Sequence, residues 1–97
     1  MPFTEPVVFS PKGSEKRNTG ASTDISLGGM FIETAHAEAF GTEVVVHVHF
    51  PGEPSACALP GIVRWTSTDG MGVQFGNLGA KETYTITELV AAHEKES

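Results

Sequence analysis

The clearest signal in the chain is the alternation of side chains over residues 42–50, TEVVVHVHF. Successive side chains of a β-strand point to opposite faces of the sheet. One face here is apolar and is formed by Val44, Val46, Val48 and Phe50. The other face is formed by Glu43, Val45, His47 and His49. The pattern predicts a strand with one face in the core.

Other short stretches have the apolar, β-branched or aromatic composition of strands. They are residues 2–10, 30–34, 59–66 and 71–75. The prolines of the first stretch are typical of an edge strand or an extended arm. Residues 11–23 are polar and aperiodic, which predicts a loop. The spacing of strands and turns predicts an all-β sandwich or barrel.

The C-terminal part has a helical period instead. Ile86, Leu89, Val90 and His93 follow the i, i+3, i+4, i+7 spacing of one helix face. Thr85, followed three residues later by Glu88, matches a capping box. We therefore expect a C-terminal helix that starts between residues 80 and 86.

Length and charge restrict the function. The 97 residues fit one domain, and the net charge of −6 repels polyanions, so we expect no DNA or RNA partner. Lys12, Lys16 and Arg17 are close in sequence and could still attract a small anionic nucleotide locally. The single cysteine, Cys57, indicates a reducing compartment, and no stretch is long and apolar enough for membrane insertion. The sequence predicts a cytoplasmic protein.

No pattern indicates catalysis or a metal site. Ser26 lies in Asp-x-Ser-x-x-Gly, not in the Gly-x-Ser-x-Gly of a nucleophile elbow. His47 and His49 share a strand face, but two imidazoles do not complete a zinc site, and we interpret them as solvent-side residues. Trp65 and Tyr84 are interpreted as core or rim residues. We expect no enzyme, no metal and no required cofactor.

The segment Asp24–Gly29, DISLGG, is more informative. Asp24 and Ser26 can accept hydrogen bonds from nearby backbone N–H groups and lock a turn. Gly28 and Gly29 can adopt positive φ, or let the backbone approach whatever lies beside it. The turn either only orders the strand that follows it, or it recognises a purine or a phosphate.

Together, TDISLGGMFIET, GTEVVV, PGIVRW and GMGVQF resemble a PilZ domain, in particular the small PilZ-like variant of deltaproteobacteria such as myxobacteria. The resemblance implies a six-stranded antiparallel β-barrel with a C-terminal α-helix and a role in signalling by cyclic di-GMP. The resemblance runs from about Thr23 to about Leu78, with the C-terminal helix also in the expected place, and we expect a single domain over 1–97. An N-terminal strand and mobile loop would occupy 1–22, the barrel core 23–78 and the helix 80–95.

The family's ligand site combines an Arg-x-x-x-Arg segment with the Asp-x-Ser-x-x-Gly turn. The turn carries over as Asp24, Ser26 and Gly29, but the chain's two arginines, Arg17 and Arg64, do not form the pair. Each bidentate arginine contact to a base supplies about 1–3 kcal/mol, so losing two weakens binding by roughly 2–6 kcal/mol.

Two hypotheses follow for the function. The first is a protein-interaction adaptor with weak or lost nucleotide binding and a protein partner. The alternative is a functional cyclic di-GMP receptor in which Lys12, Lys16 and Arg17 act together with the Asp24 turn.

Overall fold

Six strands and one helix form within the described residues, 2–50 and 52–96, of a computed structural model. Their bounds, in chain order, are β1 Pro2–Pro11, β2 Asn18–Ser26, β3 Gly29–Glu33, β4 Glu43–Val48, β5 Cys57–Thr66, β6 Gly70–Phe75 and α1 Ala80–Glu96. No helix in these ranges has both the length and the apolar content needed to cross a membrane.

The strands form one closed antiparallel barrel in the order β1-β2-β3-β6-β5-β4. The sheet closes where β1 pairs with β4, from Val7 opposite Val48 to Pro11 opposite Val44. This confirms the six-stranded antiparallel barrel with a C-terminal helix. The prediction that residues 2–10 form an edge strand or an arm is wrong, because β1 has a hydrogen-bonded neighbour on both sides.

Alternation places the core inside the barrel. The apolar face predicted for residues 42–50 is confirmed, since Val44, Val46, Val48 and Phe50 are all buried. The buried apolar residues are Phe3, Val7, Phe9, Ile25, Met30, Ile32, Val44, Val46, Val48, Phe50, Leu59, Val63, Met71, Val73, Phe75 and Ile86. Phe3 and Phe50 add a tilted ring contact with centroids 5.6 Å apart.

Strand β2 corrects the expected loop. Residues 18–26 form a strand, so the connection after β1 covers only 12–17 and the barrel begins at Pro2 instead of residue 23. The sequence NTGASTDIS has little hydrophobic pattern and could not be identified as a strand. It is held as one by hydrogen bonds to its neighbours, β1 and β3. At Gly20, a Cβ atom would lie 2.7 Å from the carbonyl oxygen of Glu33, so the close approach of β2 and β3 requires a residue without a side chain.

Helix α1 begins at Ala80, so the predicted capping box at Thr85 and Glu88 is wrong. The Thr83 N–H donates to the carbonyl oxygen of Gly79 at 3.0 Å and closes the first turn. Glu82 adds a negative charge in this turn, where the helix dipole favours it. The Thr85 hydroxyl lies inside the helix and donates to the carbonyl oxygen of Lys81 at 2.9 Å.

The apolar stripe of α1 packs on the barrel. Ile86 is fully buried, and Leu89 and Val90 pack against the core; the side chain of His93, the fourth predicted member, lies outside the described part of the chain. Glu53, from the β4–β5 connection, lies 3.7 Å from Lys81 Nζ and 3.3 Å from the Thr85 hydroxyl. The described part of the apolar stripe therefore packs against the barrel core.

Replacing Ile86 with alanine should remove the apolar anchor of the helix. A large-to-small change at a fully buried site typically costs about 2–5 kcal/mol of unfolding free energy. Urea denaturation measures the change, and Glu88→Ala, at an exposed position of the same helix, is the matched control. Equal midpoints for the two variants would show that Ile86 does not anchor α1.

Ser22→Ala should stabilise the barrel. Ser22 is fully buried, and its hydroxyl has no hydrogen-bond partner among the described residues. An unsatisfied buried polar group carries a desolvation penalty of about 1–3 kcal/mol, which alanine does not. Thermal unfolding should show a higher midpoint for Ser22→Ala; a lower midpoint would contradict this account.

Candidate functional site

The Asp24 turn is a two-residue hairpin between β2 and β3. Leu27 and Gly28 form the turn, and Ser26 is paired with Gly29. The expected positive φ is absent from both glycines, because the positive-φ glycines of the described residues are Gly13, Gly41 and Gly52. A Cβ atom at Gly29 would instead overlap the carbonyl oxygen of Val73. Gly29 is thus required by the close approach of β3 to β6.

Ser26 was predicted to accept a hydrogen bond from a nearby backbone N–H group, but in the structure its hydroxyl donates one instead. The Ser26 hydroxyl donates to the carbonyl oxygen of Gly29 at 3.5 Å, which is long for a hydrogen bond. The Phe75 N–H donates to the carbonyl oxygen of Gly28 at 2.8 Å and fixes the hairpin against β6. The turn is held mainly by its neighbouring strand.

A β-bulge in β2 directs Asp24 to the outside of the barrel. Ser22 pairs with Ile32, and Asp24 pairs with Phe31, so Thr23 is an extra residue in β2. Without it, Ser22 and Asp24 would share a face by strict alternation. With it, Ser22 is buried and Asp24 is exposed.

A second bulge has the same effect in β5. Val63 pairs with Val73 and Trp65 pairs with Gly72, which makes Arg64 the extra residue. Trp65 would otherwise share the buried face of Val63, but it is 55% exposed. Arg64 is exposed as well. The prediction of Trp65 as a core or rim residue missed that the bulge places it on an open outer surface.

The two bulges face each other across one cleft on the outer surface. Asp24, Phe31, Gly72 and Trp65 are successive cross-strand partners on β2, β3, β6 and β5. Since neighbouring strands are about 4.8 Å apart, this row spans roughly 14 Å. The cleft has a volume of about 500 Å³. Its lining residues are Asp24, Ile25, Ser26, Gly28, Gly29, Met30, Phe31, Arg64, Trp65, Val73 and Gln74.

Arg64 is the only basic residue that lines this cleft in the described structure. Its Nε donates to Oε1 of Gln74 at 2.7 Å, across the β5–β6 pair. Within residues 2–50 and 52–96, no carboxylate forms an ion pair with it. The cleft therefore holds a positive charge opposite the turn, in a protein whose net charge is −6.

The structure does not bring Lys12, Lys16 and Arg17 to this cleft. All three lie in the exposed β1–β2 connection, 12–17, and none lines the cleft. Asn18, which follows them, is six residues from Asp24 along β2, or about 20 Å at the usual rise of a strand. Of the predicted ligand-binding residues, only Asp24, Ser26, Gly28 and Gly29 are together.

The remaining candidates for chemistry are metal-ligating side chains and the Cys57 thiol. No group of three or more His, Cys, Asp or Glu residues that could hold a metal ion occurs in the part of the chain that the structure describes. Burial raises the pKa of the Cys57 thiol, and the negative charges of Glu53 and Glu82 add to this effect, while Lys81 opposes it. A raised pKa disfavours the nucleophilic thiolate.

Sequence reasoning missed Arg64, Trp65 and Gln74 as members of the cleft. A period-two pattern assigns Trp65 to the face of Val63 and cannot reveal an inserted residue. The one available signal was Gly72 between Met71 and Val73, because a glycine inside a strand indicates close approach of another group. That group is the Trp65 indole, which a Cβ atom at Gly72 would overlap.

Gly72→Ala and Gly29→Ala should therefore have different effects. At Gly72 the obstacle is an exposed side chain that can move, so the stability should change little while the Trp65 emission shifts. At Gly29 the obstacle is the backbone of β6, and overpacking should destabilise by about 1–3 kcal/mol. Trp65 is the only tryptophan, so emission spectra and denaturation measure both effects. Equal destabilisation by the two variants would contradict the account.

Comparisons with known proteins agree with this architecture. The family model described as PilZ domain matches residues 1–92. One similar solved structure is the "PilZ domain of CeSA from cellulose synthesizing bacterium", with a TM-score of 0.76 and 20% identity, covering 97% of this chain and 96% of that one. Another is "Bacillus subtilis Inhibitor of motility (MotI/DgrA)", with a TM-score of 0.78 and 16% identity.

The second alignment covers 100% of this chain but 50% of the motility inhibitor, so this chain spans about half of that protein. At these identities the two structures show the fold alone. A comparison with curated protein sequences found no match. The family-model match, which covers most of the chain, shows that this protein belongs to the PilZ domain family.

Proposed function

We propose that this chain is a non-catalytic PilZ signalling module that binds cyclic di-GMP weakly in the outer cleft and acts through a protein partner. PilZ domains are a cyclic di-GMP-binding family of regulatory modules. The observation that carries the proposal is the composition of the cleft, which contains the Asp24 turn and a single guanidinium, that of Arg64. A cytoplasmic location and membership of the small deltaproteobacterial variant stay predictions.

The single guanidinium sets the expected affinity. A second arginine would contribute one more bidentate contact, worth about 1–3 kcal/mol. Its absence weakens binding roughly 5- to 150-fold relative to a receptor with two such contacts. Arg64 thus restores part of the affinity that the missing Arg-x-x-x-Arg motif removes. The alternative receptor, which uses Lys12, Lys16 and Arg17, finds no support in their positions.

Action through a protein partner has separate support. A weakly bound nucleotide shifts a conformational population little by itself, because the free energy that it contributes, RT ln(1 + [L]/Kd), is small at low occupancy. One protein with the same fold is named as an inhibitor of motility, which is a regulatory role. Large apolar side chains remain for a contact surface: Leu27 is 51% exposed, Phe40 68% and Tyr84 66%.

Isothermal titration with cyclic di-GMP, at low and at physiological salt, should give weak saturable heat. For a starting value of about 1 µM with two bidentate contacts, one contact predicts a dissociation constant of roughly 5–150 µM. Asp24→Ala and Arg64→Ala should each abolish the heat. Arg17→Ala, the matched change at the chain's other arginine, should leave it unchanged.

Two outcomes would count against the proposal. Tight binding that Arg17→Ala or Lys16→Ala destroys would establish the alternative receptor. No heat at either salt would leave the turn as a structural element and would remove cyclic di-GMP from the function.

A further inference from the structure

The connection between β3 and β4, residues 34–42, ends in a turn that presents Phe40. The Thr42 N–H donates to the carbonyl oxygen of Ala39 at 3.1 Å, and Gly41 has a φ of 86°. This hydrogen bond, with positive φ at the third residue, is typical of a type II β-turn in which Phe40 occupies the second position. The Phe40 side chain is 68% exposed, more than any other large apolar side chain among the described residues.

The Phe40 turn, residues 39–42, is fixed to the barrel. The Gly41 N–H donates to the carbonyl oxygen of Val63 at 2.8 Å, and the Val63 N–H donates to the carbonyl oxygen of Thr42 at 3.0 Å. Since the backbone under the ring is held before any contact is made, less conformational entropy is lost when another molecule buries the ring. Single exposed apolar residues are common on protein surfaces. The fixed backbone distinguishes Phe40 from a side chain on a mobile loop.

Phe40 lies beside the outer cleft without lining it. The 2.8 Å hydrogen bond joins the peptide unit between Phe40 and Gly41 to the peptide unit between Val63 and Arg64. Arg64 and Trp65, which follow Val63, are exposed and line the cleft. Aromatic residues and arginine are enriched in protein interfaces relative to the rest of the surface. A molecule that covers Phe40 would therefore meet the rim of the cleft.

Charge indicates which kind of partner fits this surface. Glu38 and Glu43 lie within three residues of Phe40, one on each side. Among the residues whose positions are described, neither carboxylate forms an ion pair. A symmetric contact with a second copy would bring each carboxylate near its counterpart, and both copies carry a net charge of −6. The acidic surroundings instead favour a partner with basic groups around an apolar pocket.

We propose that the Phe40 turn is the docking surface for a partner protein that has an apolar pocket with a basic rim. The phenyl ring fills the pocket, and Glu38 and Glu43 face the basic groups. This inference rests on the proposed action through a protein partner and assigns a surface to it. Because Arg64 lies in the cleft and also beside Phe40, a nucleotide in the cleft would lie next to the docked partner.

Photocrosslinking in the cells that produce the protein identifies the partner. Phe40 is replaced by the photoreactive analogue p-benzoylphenylalanine, which keeps an aromatic ring at this position. Tyr84 receives the same replacement as the matched control, because it is similarly exposed but lies on α1. That helix contacts Glu53 in the β4–β5 connection, at the other end of the barrel. Irradiation should join position 40, and not position 84, to one protein.

Titration with that purified protein measures the role of each group. Phe40→Ala should raise the dissociation constant roughly 30-fold or more, as truncation of an aromatic anchor does. The thermal unfolding midpoint should not change, because the ring is exposed. Glu43→Lys should slow association and reduce its salt dependence. Glu88→Lys, the same change at an exposed position of α1, should affect both much less.

Several outcomes would overturn the docking surface. They are a crosslink from position 40 to another copy of the chain, a crosslink to the same protein from both positions, no crosslink, and an unchanged dissociation constant for Phe40→Ala.

Titration of Phe40→Ala with cyclic di-GMP separates this inference from the proposed nucleotide binding. Phe40 does not line the cleft, so the variant should give the same heat as the wild type. Heat without a crosslink would overturn the docking surface and leave nucleotide binding intact. A crosslink without heat from the wild type would overturn nucleotide binding and leave the docking surface intact.

Discussion

The pairing of β1 with β4 is the constraint on which the rest of the structure depends. It closes the sheet, so that each of the six described strands pairs with two neighbours. Closure also gives each strand one interior and one exterior face, and the interior is filled by the apolar side chains of all six strands. Helix α1 adds Ile86 to the same core. The cleft beside the Asp24 turn lies on the outer surface of this barrel.

The two bulges act within this closed frame. A strand with strict alternation cannot show two consecutive side chains on its outer face, but an extra residue allows it. The bulge at Thr23 places Asp24 outside and Ser22 inside, and the bulge at Arg64 exposes Trp65. Both bulges lie opposite a regular strand, β3 or β6. Gly29 in β3 and Gly72 in β6 have no side chains, so these strands add little bulk at the bottom of the cleft. The one-residue register shifts in β2 and β5 thus decide which side chains line the cleft.

The cleft contains one basic residue, Arg64, among its described lining residues. The chain is acidic overall, and the cations that sequence proximity suggested as a cluster lie along the β1–β2 connection, away from the Asp24 turn. Arg64 is instead delivered from β5, more than thirty residues after the turn, and Gln74 holds it from β6. This one guanidinium, oriented by Gln74, is therefore the positive charge that the described residues bring into the cleft.

The sequence by itself determined the strands with strong alternation, the helical tail and the turn at Asp24, because these follow from local periodicity and from residue types that favour turns. It also supported the family resemblance. Strand β2 could not be predicted, since its polar residues are ordered by hydrogen bonds from β1 and β3. The start of α1 at Ala80 lies within the predicted range of 80–86, but the predicted capping box was wrong, because Thr85 and Glu88 lie inside the helix. Membership of Arg64, Trp65 and Gln74 in the cleft was decided only by the tertiary structure, because a one-residue bulge changes the face of a side chain without changing its sequence pattern.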